Sequence, residues 1–504
     1  MFIQGWNDVG YRSTYLNWTT PTIDRLASEG VKFENYFTYS TCIPSRGALL
    51  TGRYPIRLGL LYAFGSKELP LSEVTIGQEL QSAGYQTYMV GKWHLGFSTL
   101  EHTPANRGFQ SSYTYWNGFV DYWTKGYGIY NDLHDGIESV TNEDELSTDL
   151  HNGILMQTKA EKMIVDHVQN YPNKPMFLYY AMQLIHGMWS APQKYLDRCG
   201  EPSTITDEYT RNVTYNYCAL NVMLDEAIAN LTCALETNGM ADNTILVIVS
   251  DNGGEATVNG NSYPFKGNKG SLYRGGLSGT GFIHSKLLPE TAQGHHYHGQ
   301  MHVTDWLPTL MGLATNNEWT GSYINSTLDG VDQWTAMTTP HAKSPRKEIV
   351  HFHDGLNTSC IQIDMIKLNI GDDLTNMGKP DFVFKSDLHP EYNSQKCENP
   401  SLINTETTFF DTKIISTTME LNDLSKTILP KTTETNTETN NLNKSMIIVM
   451  ICLLASLVLL MSVRLAHLMG KSENDYIHSL SASDNRKEKY DDGRNNNETT
   501  KLLP

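Results

Sequence analysis

From residue 1 to about 345, short apolar runs alternate with longer stretches in which apolar residues recur at helical spacing. The runs at 87–90, Met176–Ala181 and 245–249 have strand length and are rich in aromatic or β-branched residues. Between them, 74–83, 159–168 and 217–235 read as helices, and Gly84 follows the first where a left-handed cap belongs. Thr304-Asp305-Trp306-Leu307-Pro308 reads as a capped helix start with proline in the first turn. Strands alternating with helices predict an α/β domain over 1–345, a mixed, mostly parallel central sheet flanked by helices. The pattern then changes. Residues 346–410 read as a small α+β segment. Residues 411–444, rich in Thr, Asn, Ser and Glu, read as a solvated stalk open to O-glycosylation.

The most apolar stretch is 446–463, MIIVMICLLASLVLLMSV, which carries no charge. At 1.5 Å per residue it reaches about 27 Å, which predicts a transmembrane helix over 445–466. Lys444 precedes it; Arg464, Lys471, Arg486, Lys487 and Lys489 follow. The more basic flank predicts a cytoplasmic tail over 467–504 and a lumenal or extracellular body, at a lysosome, endosome or cell surface. Sequons at Asn17, Asn212, Asn230, Asn325 and Asn357 all lie before the span and agree with that orientation. Glu498-Thr-Thr-Lys-Leu502-Leu503 resembles an endosomal or lysosomal sorting signal. The start, Met1-Phe2-Ile3-Gln4-Gly5-Trp6, has neither the basic nor the apolar region of a signal peptide.

Composition narrows the function classes. Of 504 residues 39% are hydrophobic and 18% charged, enough for a sizeable core. With 38 Lys+Arg against 55 Asp+Glu the net charge is −17, which argues against a nucleic-acid partner. Seven cysteines are too few for a disulfide scaffold. Cys360 with Cys397 is a plausible pair in an oxidising compartment. Cys199 could pair with Cys218 or Cys233, whereas those two, fifteen residues apart on one predicted helix, cannot bridge each other.

The chemistry is carried by Cys42-Ile-Pro-Ser-Arg46-Gly-Ala-Leu-Leu-Thr-Gly52. Pro44 suits a first helical turn and Gly52 its end, so Cys42 is expected just before a helix N-terminus, where unpaired N–H groups favour an anion. By position alone it reads equally as a buried core cysteine. The ordered string, however, resembles the signature of the type I sulfatases, members of the alkaline phosphatase-like superfamily. Gly84-Tyr-Gln-Thr-Tyr-Met-Val-Gly91-Lys92-Trp93-His94-Leu-Gly96 is similar to the family's second signature. The likeness continues through Gln183-Leu-Ile-His186, Ser250-Asp251-Asn252-Gly253-Gly254, Lys269-Gly-Ser-Leu-Tyr-Arg-Gly-Gly276, Asp305-Trp-Leu-Pro-Thr-Leu310 and Leu328-Asp-Gly-Val-Asp-Gln-Trp334.

The resemblance implies a sulfuric ester hydrolase acting on sulfated sugars, glycosaminoglycans or aryl sulfates. It implies that a formylglycine-generating enzyme oxidises Cys42 to an aldehyde whose hydrate attacks sulfur. Arg46 would hold the hydrate. Lys92 would neutralise sulfate, and His94, two residues along one strand end, would orient or deprotonate a hydroxyl. His186 and Lys269 would bind sulfate or the leaving oxygen, with Lys269 a candidate proton donor. Asp251 and Asn252 would be ligands of one Ca2+ ion, a hard cation suited to oxygen donors. The aromatic stretch 113–135 would set specificity by stacking on rings.

One departure stands out. The family opens with a strand ending in Asp-Asp, two further metal ligands, just before Gly-Trp. Here Gly5-Trp6 is preceded only by Met1-Phe2-Ile3-Gln4, and Asp8 lies too far along to substitute. The expectation is an N-terminally truncated chain. The alternatives are a catalytically inactive glycan-binding protein on the same fold, and a related phosphatase or phosphodiesterase, against which Cys42 in its motif argues.

Overall fold

The computed structural model describes residues 4–370 apart from 63–66, 188, 201–204, 322–327, 354–358 and 364–365. The expected stalk, membrane helix and tail, most of the 346–410 segment, Asn325, Asn357 and Cys397 lie outside the described residues.

Gln86–Lys92 is buried along its whole length and has no polar face. Such a strand needs cover on both sides, which favours parallel neighbours with helices above and below. It pairs parallel with Ser111–Tyr115 and with Met176–Ala181, Val90 standing between Tyr113 and Tyr180. Its side chains divide two cores. Tyr88 and Val90 pack among Ile164, Leu220 and Met223 of the helices Asn152–Asn170 and Glu208–Thr237. Met89 packs on the opposite side with Leu50, Ile76 and Leu307, from the helices Cys42–Thr51, Ile76–Ser82 and Trp306–Ala314.

The sheet is less parallel than expected, and it is divided. Leu133–Asp135 pairs antiparallel with Ser111–Tyr115, and Glu138–Ser139 extends the sheet antiparallel in turn, because the two-residue connection between those last two strands permits no other sense. A second sheet has the order Leu246–Val249, Gly281–His284, Val31–Phe33, His296–Tyr297, of which only the last pair is parallel. Met176–Ala181 ends one sheet and Leu246–Val249 the other, and both line a single apolar cleft.

Local signals explain the helices. Cys42–Thr51 stops at Gly52, whose φ of +66° lets its N–H return to the Ala48 carbonyl. Ile76–Ser82 starts from a reciprocal Thr75–Gln78 capping box. Glu208–Thr237 is long and apolar enough to cross a membrane, but two thirds of its apolar window is buried in the core. Its buried Asp225 accepts the N–H groups of Thr22 and Ile23, capping the helix Pro21–Glu29. Cys199 pairs with Cys218, fixing the helix Gln193–Cys199 to this long helix. Beyond residue 345, Glu348–His353, Ser359–Ile363 and Ile366–Ile370 form an antiparallel meander. Tyr39 ties it to the main body by donating to the Val350 carbonyl at 3.1 Å.

Candidate active site

Cys42 is the first residue of its helix, one place further in than expected, with Thr41 as the extended N-cap. It is 2% exposed and lines a cavity of about 650 Å³ with His94, His186, Lys269, Glu255, Trp116 and Phe119. Burial raises the thiol pKa, but the charges of Lys92 and Lys269 and a hydrogen bond with His186 outweigh it and bring the value down to about 6.

The cations converge from different elements. Arg46, one turn along the same helix, is fully buried. It donates to the Lys92 carbonyl at 3.0 Å, to the Tyr179 hydroxyl at 3.3 Å and to Asp251 Oδ2 at 2.9 Å. Its pKa is raised: burial opposes the charge, and Tyr179 and Asp251 more than restore it. Lys92 closes the strand Gln86–Lys92, and its buried Nζ has no hydrogen-bond partner. Burial pulls its pKa down to about 8 despite the neighbouring Cys42 sulfur. Lys269 comes from a loop, and its Nζ pairs with Glu255 Oε2 at 2.9 Å. Its pKa is raised because Cys42 and Glu255 outweigh burial.

The two histidines are held neutral. Burial and then the Lys92 charge depress His94 well below its usual value. Burial brings His186 down to about 3 although Cys42 opposes the shift. His94 does not continue the strand. The strand ends at Lys92, and His94 has a φ of +59°, its ring against Gly118, where a Cβ would come within 2.8 Å. His186 stacks on Phe119 with ring centroids 5.3 Å apart. A neutral ring at each side can accept or pass a proton, while Lys269 in the cavity wall and the buried Arg46 and Lys92, whose charges act on Cys42, make the surroundings of position 42 cationic. The arrangement is built to receive a small anion beside position 42.

Sequence reasoning did not single out Glu255 or Tyr179. Glu255 directly follows the Ser250–Gly254 motif, and that adjacency was its only signal. The aromatic stretch was read better: Trp116, Phe119 and Tyr127 line the cavity, joined by Phe97. Of the sequons within the described residues, Asn17 and Asn212 are exposed and Asn230 is half-buried.

Residues 4–316 match the sequence model of the Sulfatase family. The chain belongs to the sulfatase family. Among curated sulfatases it is 36% identical to arylsulfatase J of Mus musculus over 70% of this chain and 57% of that protein. It is 29% identical to arylsulfatase A of Homo sapiens over 66% of each chain. The chain thus spans less than two thirds of these relatives. Among solved structures, that of Ps i-CgsB in complex with k-i-k-neocarrahexaose superposes with a TM-score of 0.63 at 25% identity, over 74% of this chain and 83% of that one. In order and spacing the motifs look most like arylsulfatase B; the comparisons support the family and not that particular member.

For a sulfatase, the carboxylates near the site matter most. Asp8 is fully engaged elsewhere: it accepts from Tyr15, Tyr217 and the N–H groups of Gly5 and Asn261. Burial outweighs those bonds and raises its pKa to about 6. Asp251 Oδ1 and Asn252 Oδ1 are buried oxygens without a hydrogen-bond partner, as is Gln4 Oε1 beside Ser250. These orphaned oxygens fit a hard cation in donor type. They fall short in number: among the described residues no three His, Cys, Asp or Glu side chains gather as a metal site.

Proposed function

We propose that the protein is a calcium-dependent sulfuric ester hydrolase acting on sulfated sugars, glycosaminoglycans or aryl sulfates. Cys42, oxidised to formylglycine by a formylglycine-generating enzyme, would be the nucleophilic position. The observation that carries this reading is the buried, unpartnered Lys92 ammonium, whose charge acts with those of Arg46 and Lys269 on Cys42, itself in the wall of an aromatic-lined cavity. A buried cation without a counter-ion is costly unless a ligand supplies the charge.

A hydrated aldehyde supplies two geminal hydroxyls, one to attack sulfur and one whose deprotonation later expels sulfate. The surrounding side chains have separate tasks. Lys92 neutralises the sulfate oxygens. Arg46, fixed by Asp251 and Tyr179, holds the residue at 42 in place. His94, neutral and against Gly118, takes a hydroxyl proton. Lys269, oriented by Glu255, delivers a proton to the departing alcohol, and His186 hydrogen-bonds the same region. Asp251 and Asn252 would hold one calcium ion, which when bound polarises the sulfate. Water or substrate would have to complete its shell. Trp116, Phe119 and Tyr127 would stack on a sugar or aryl ring.

We further propose a single-pass membrane protein with its catalytic body on the lumenal or extracellular side. The uncharged 446–463 segment, its basic C-terminal flank and the sequons support this.

An inactive glycan-binding protein is favoured by one observation: Asp251, the carboxylate expected at the metal, is ion-paired to Arg46. Assaying aryl sulfate and aryl phosphate on one preparation, beside Cys42→Ala, separates the readings. Hydrolase action predicts sulfate turnover above phosphate turnover, falling about a thousandfold or more in the variant. Phosphate preference, or binding of a sulfated sugar with no turnover, would refute it.

A further inference from the structure

Gly294-His295-His296-Tyr297-His298-Gly299 places three histidines within four residues, and His341-Ala-Lys343-Ser-Pro-Arg346-Lys347 adds a fourth histidine and three fixed positive charges. In a chain of net charge −17, two such stretches on one cavity stand out. His296–Tyr297 is the edge strand of the second sheet, and successive side chains of a strand face opposite ways. Tyr297 is accordingly buried in the core, while His296 and His298 on either side of it are exposed. Ser344 donates to the Gln300 carbonyl at 2.6 Å and holds the second stretch against the first.

The two stretches line a cavity of about 400 Å³ that shares no lining residue with the one at Cys42. We infer that this second cavity binds an anionic saccharide, and binds it more tightly in acid. Its walls hold His295, His296, His298, His341, Lys343 and Lys347, with no Asp or Glu among the described residues that line it. Gln300 adds a different group. It is 5% exposed, and its Oε1 has no hydrogen-bond partner. A carbonyl oxygen repels an anion and accepts a hydroxyl, so the fitting ligand carries hydroxyls beside its negative groups, as a charged sugar chain does. A metal ion fits less well: among the described residues no three such side chains converge as a metal site, and the His296 and His298 ring centroids stand 6.5 Å apart.

The charges around the cavity give the sign of its pH dependence. Arg346 is neutralised in place: it donates to Asp305 at 2.9 Å and to the Tyr54 hydroxyl at 3.1 Å. On the neighbouring strand side, Glu34 stands 2.7 Å from His296 Nδ1 and is paired with Arg12. Lys343 and Lys347 are exposed and make no ion pair among the described residues. His295 is half-buried. Burial, and then the charges of His298, His296, His341 and Lys32, hold its pKa below the usual 6.5. An anion set among these groups reverses the repulsion and favours the charged imidazoles, so binding takes up protons. Imidazoles charge as pH falls through about 6.5, whereas the lysines are charged throughout. Affinity therefore rises from pH 7.5 to pH 5.5, with a part carried by the lysines at both.

Calorimetric titration of the full chain carrying Cys42→Ala, so that hydrolysis does not intervene, tests the site. The probes are a chondroitin sulfate tetrasaccharide and a hyaluronate tetrasaccharide, which separate sulfate from carboxylate as the recognised charge. At least one should bind about tenfold tighter at pH 5.5 than at pH 7.5. Adding Lys343→Gln with Lys347→Gln should weaken it about tenfold at both pH values. Adding His298→Gln with His341→Asn should instead remove most of the pH difference; Asn tolerates the φ of +63° at position 341. All four side chains are exposed, so both variants should melt with their parent. Affinities unaltered in both variants would overturn the site, as would failure of both probes to bind. An oligodeoxynucleotide bound as tightly as the saccharides would overturn the saccharide assignment. None of these readouts uses hydrolysis, so the inference stands or falls apart from the proposed function.

Discussion

At the scale of the residue, Lys92 concentrates the conflict between stability and chemistry. Its ammonium is buried without a partner, and burial, aided by the like charges of Arg46 and Lys269, pulls its pKa to about 8. Replacing it with methionine removes that cost and keeps most of the volume. Lys92→Met is expected to raise Tm while lowering kcat/KM for a sulfate ester by about 10²–10³, the scale of one lost transition-state donor. A variant that loses both equally would show that Lys92 is structural. His94 shows what the sequence conceals. Its identity and two-residue spacing from Lys92 are legible, but its reach into the cavity depends on a φ of +59° and on a glycine at 118. Alternation along a strand would have given a similar direction for the wrong reason. Glu255 was invisible because an acidic residue after a turn is ordinary until the lysine it steadies is seen 2.9 Å away.

Elements place these residues, and glycine decides how closely they meet. Gly91 sits next to Lys92 with a φ of +97°, and a Cβ there would stand 2.2 Å from the Ala181 carbonyl oxygen. Gly91→Ala is expected to part the strands Gln86–Lys92 and Met176–Ala181, costing several kcal/mol and most of the activity; unchanged melting would contradict the packing described. The helix Asn152–Asn170 carries a pH-sensitive cap. His151 Nδ1 accepts from the Gly153 N–H at 3.1 Å while Nε2 faces the Ser190 carbonyl at 2.9 Å. The Nδ1 contact needs the neutral ring, whereas Nε2–H donates to the carbonyl in either state; burial outweighs that bond and depresses the pKa from 6.5 to about 4. The folded state therefore binds fewer protons than the unfolded state. This contribution is present above pH 6.5 and lost as pH falls toward 4, by up to about 3 kcal/mol. His151→Asn keeps a capping oxygen and should flatten the slope of unfolding free energy over that window. A slope identical to the parent's would remove His151 from the account. The strand Met176–Ala181 was legible residue for residue, because Pro175 marks where its apolar, aromatic-rich run begins. The first third of Glu208–Thr237 was not, since Glu208 to Tyr215 carries polar residues through the turn where an apolar stripe would show.

For the whole molecule, the sequence announced an α/β class and the ordered motifs, while the partition into two sheets was hidden. Sheet division depends on which edges meet, and no local pattern encodes that. The disulfide is similar: spacing excluded Cys218 with Cys233 and left two choices for Cys199, and packing of Gln193–Cys199 on the long helix selected Cys218. The uncharged 446–463 segment makes a prediction at this scale. The full chain should stay with membranes through alkaline washing, and a chain ending at Lys444 should be released; release of both would dismiss the anchor. The central claim is chemical and concerns position 42. Peptide mass spectrometry of the segment containing Cys42, from protein recovered after passage through a secretory pathway, tests it most directly. The account predicts an aldehyde or its hydrate in place of the thiol, and an unmodified cysteine in every molecule would contradict it.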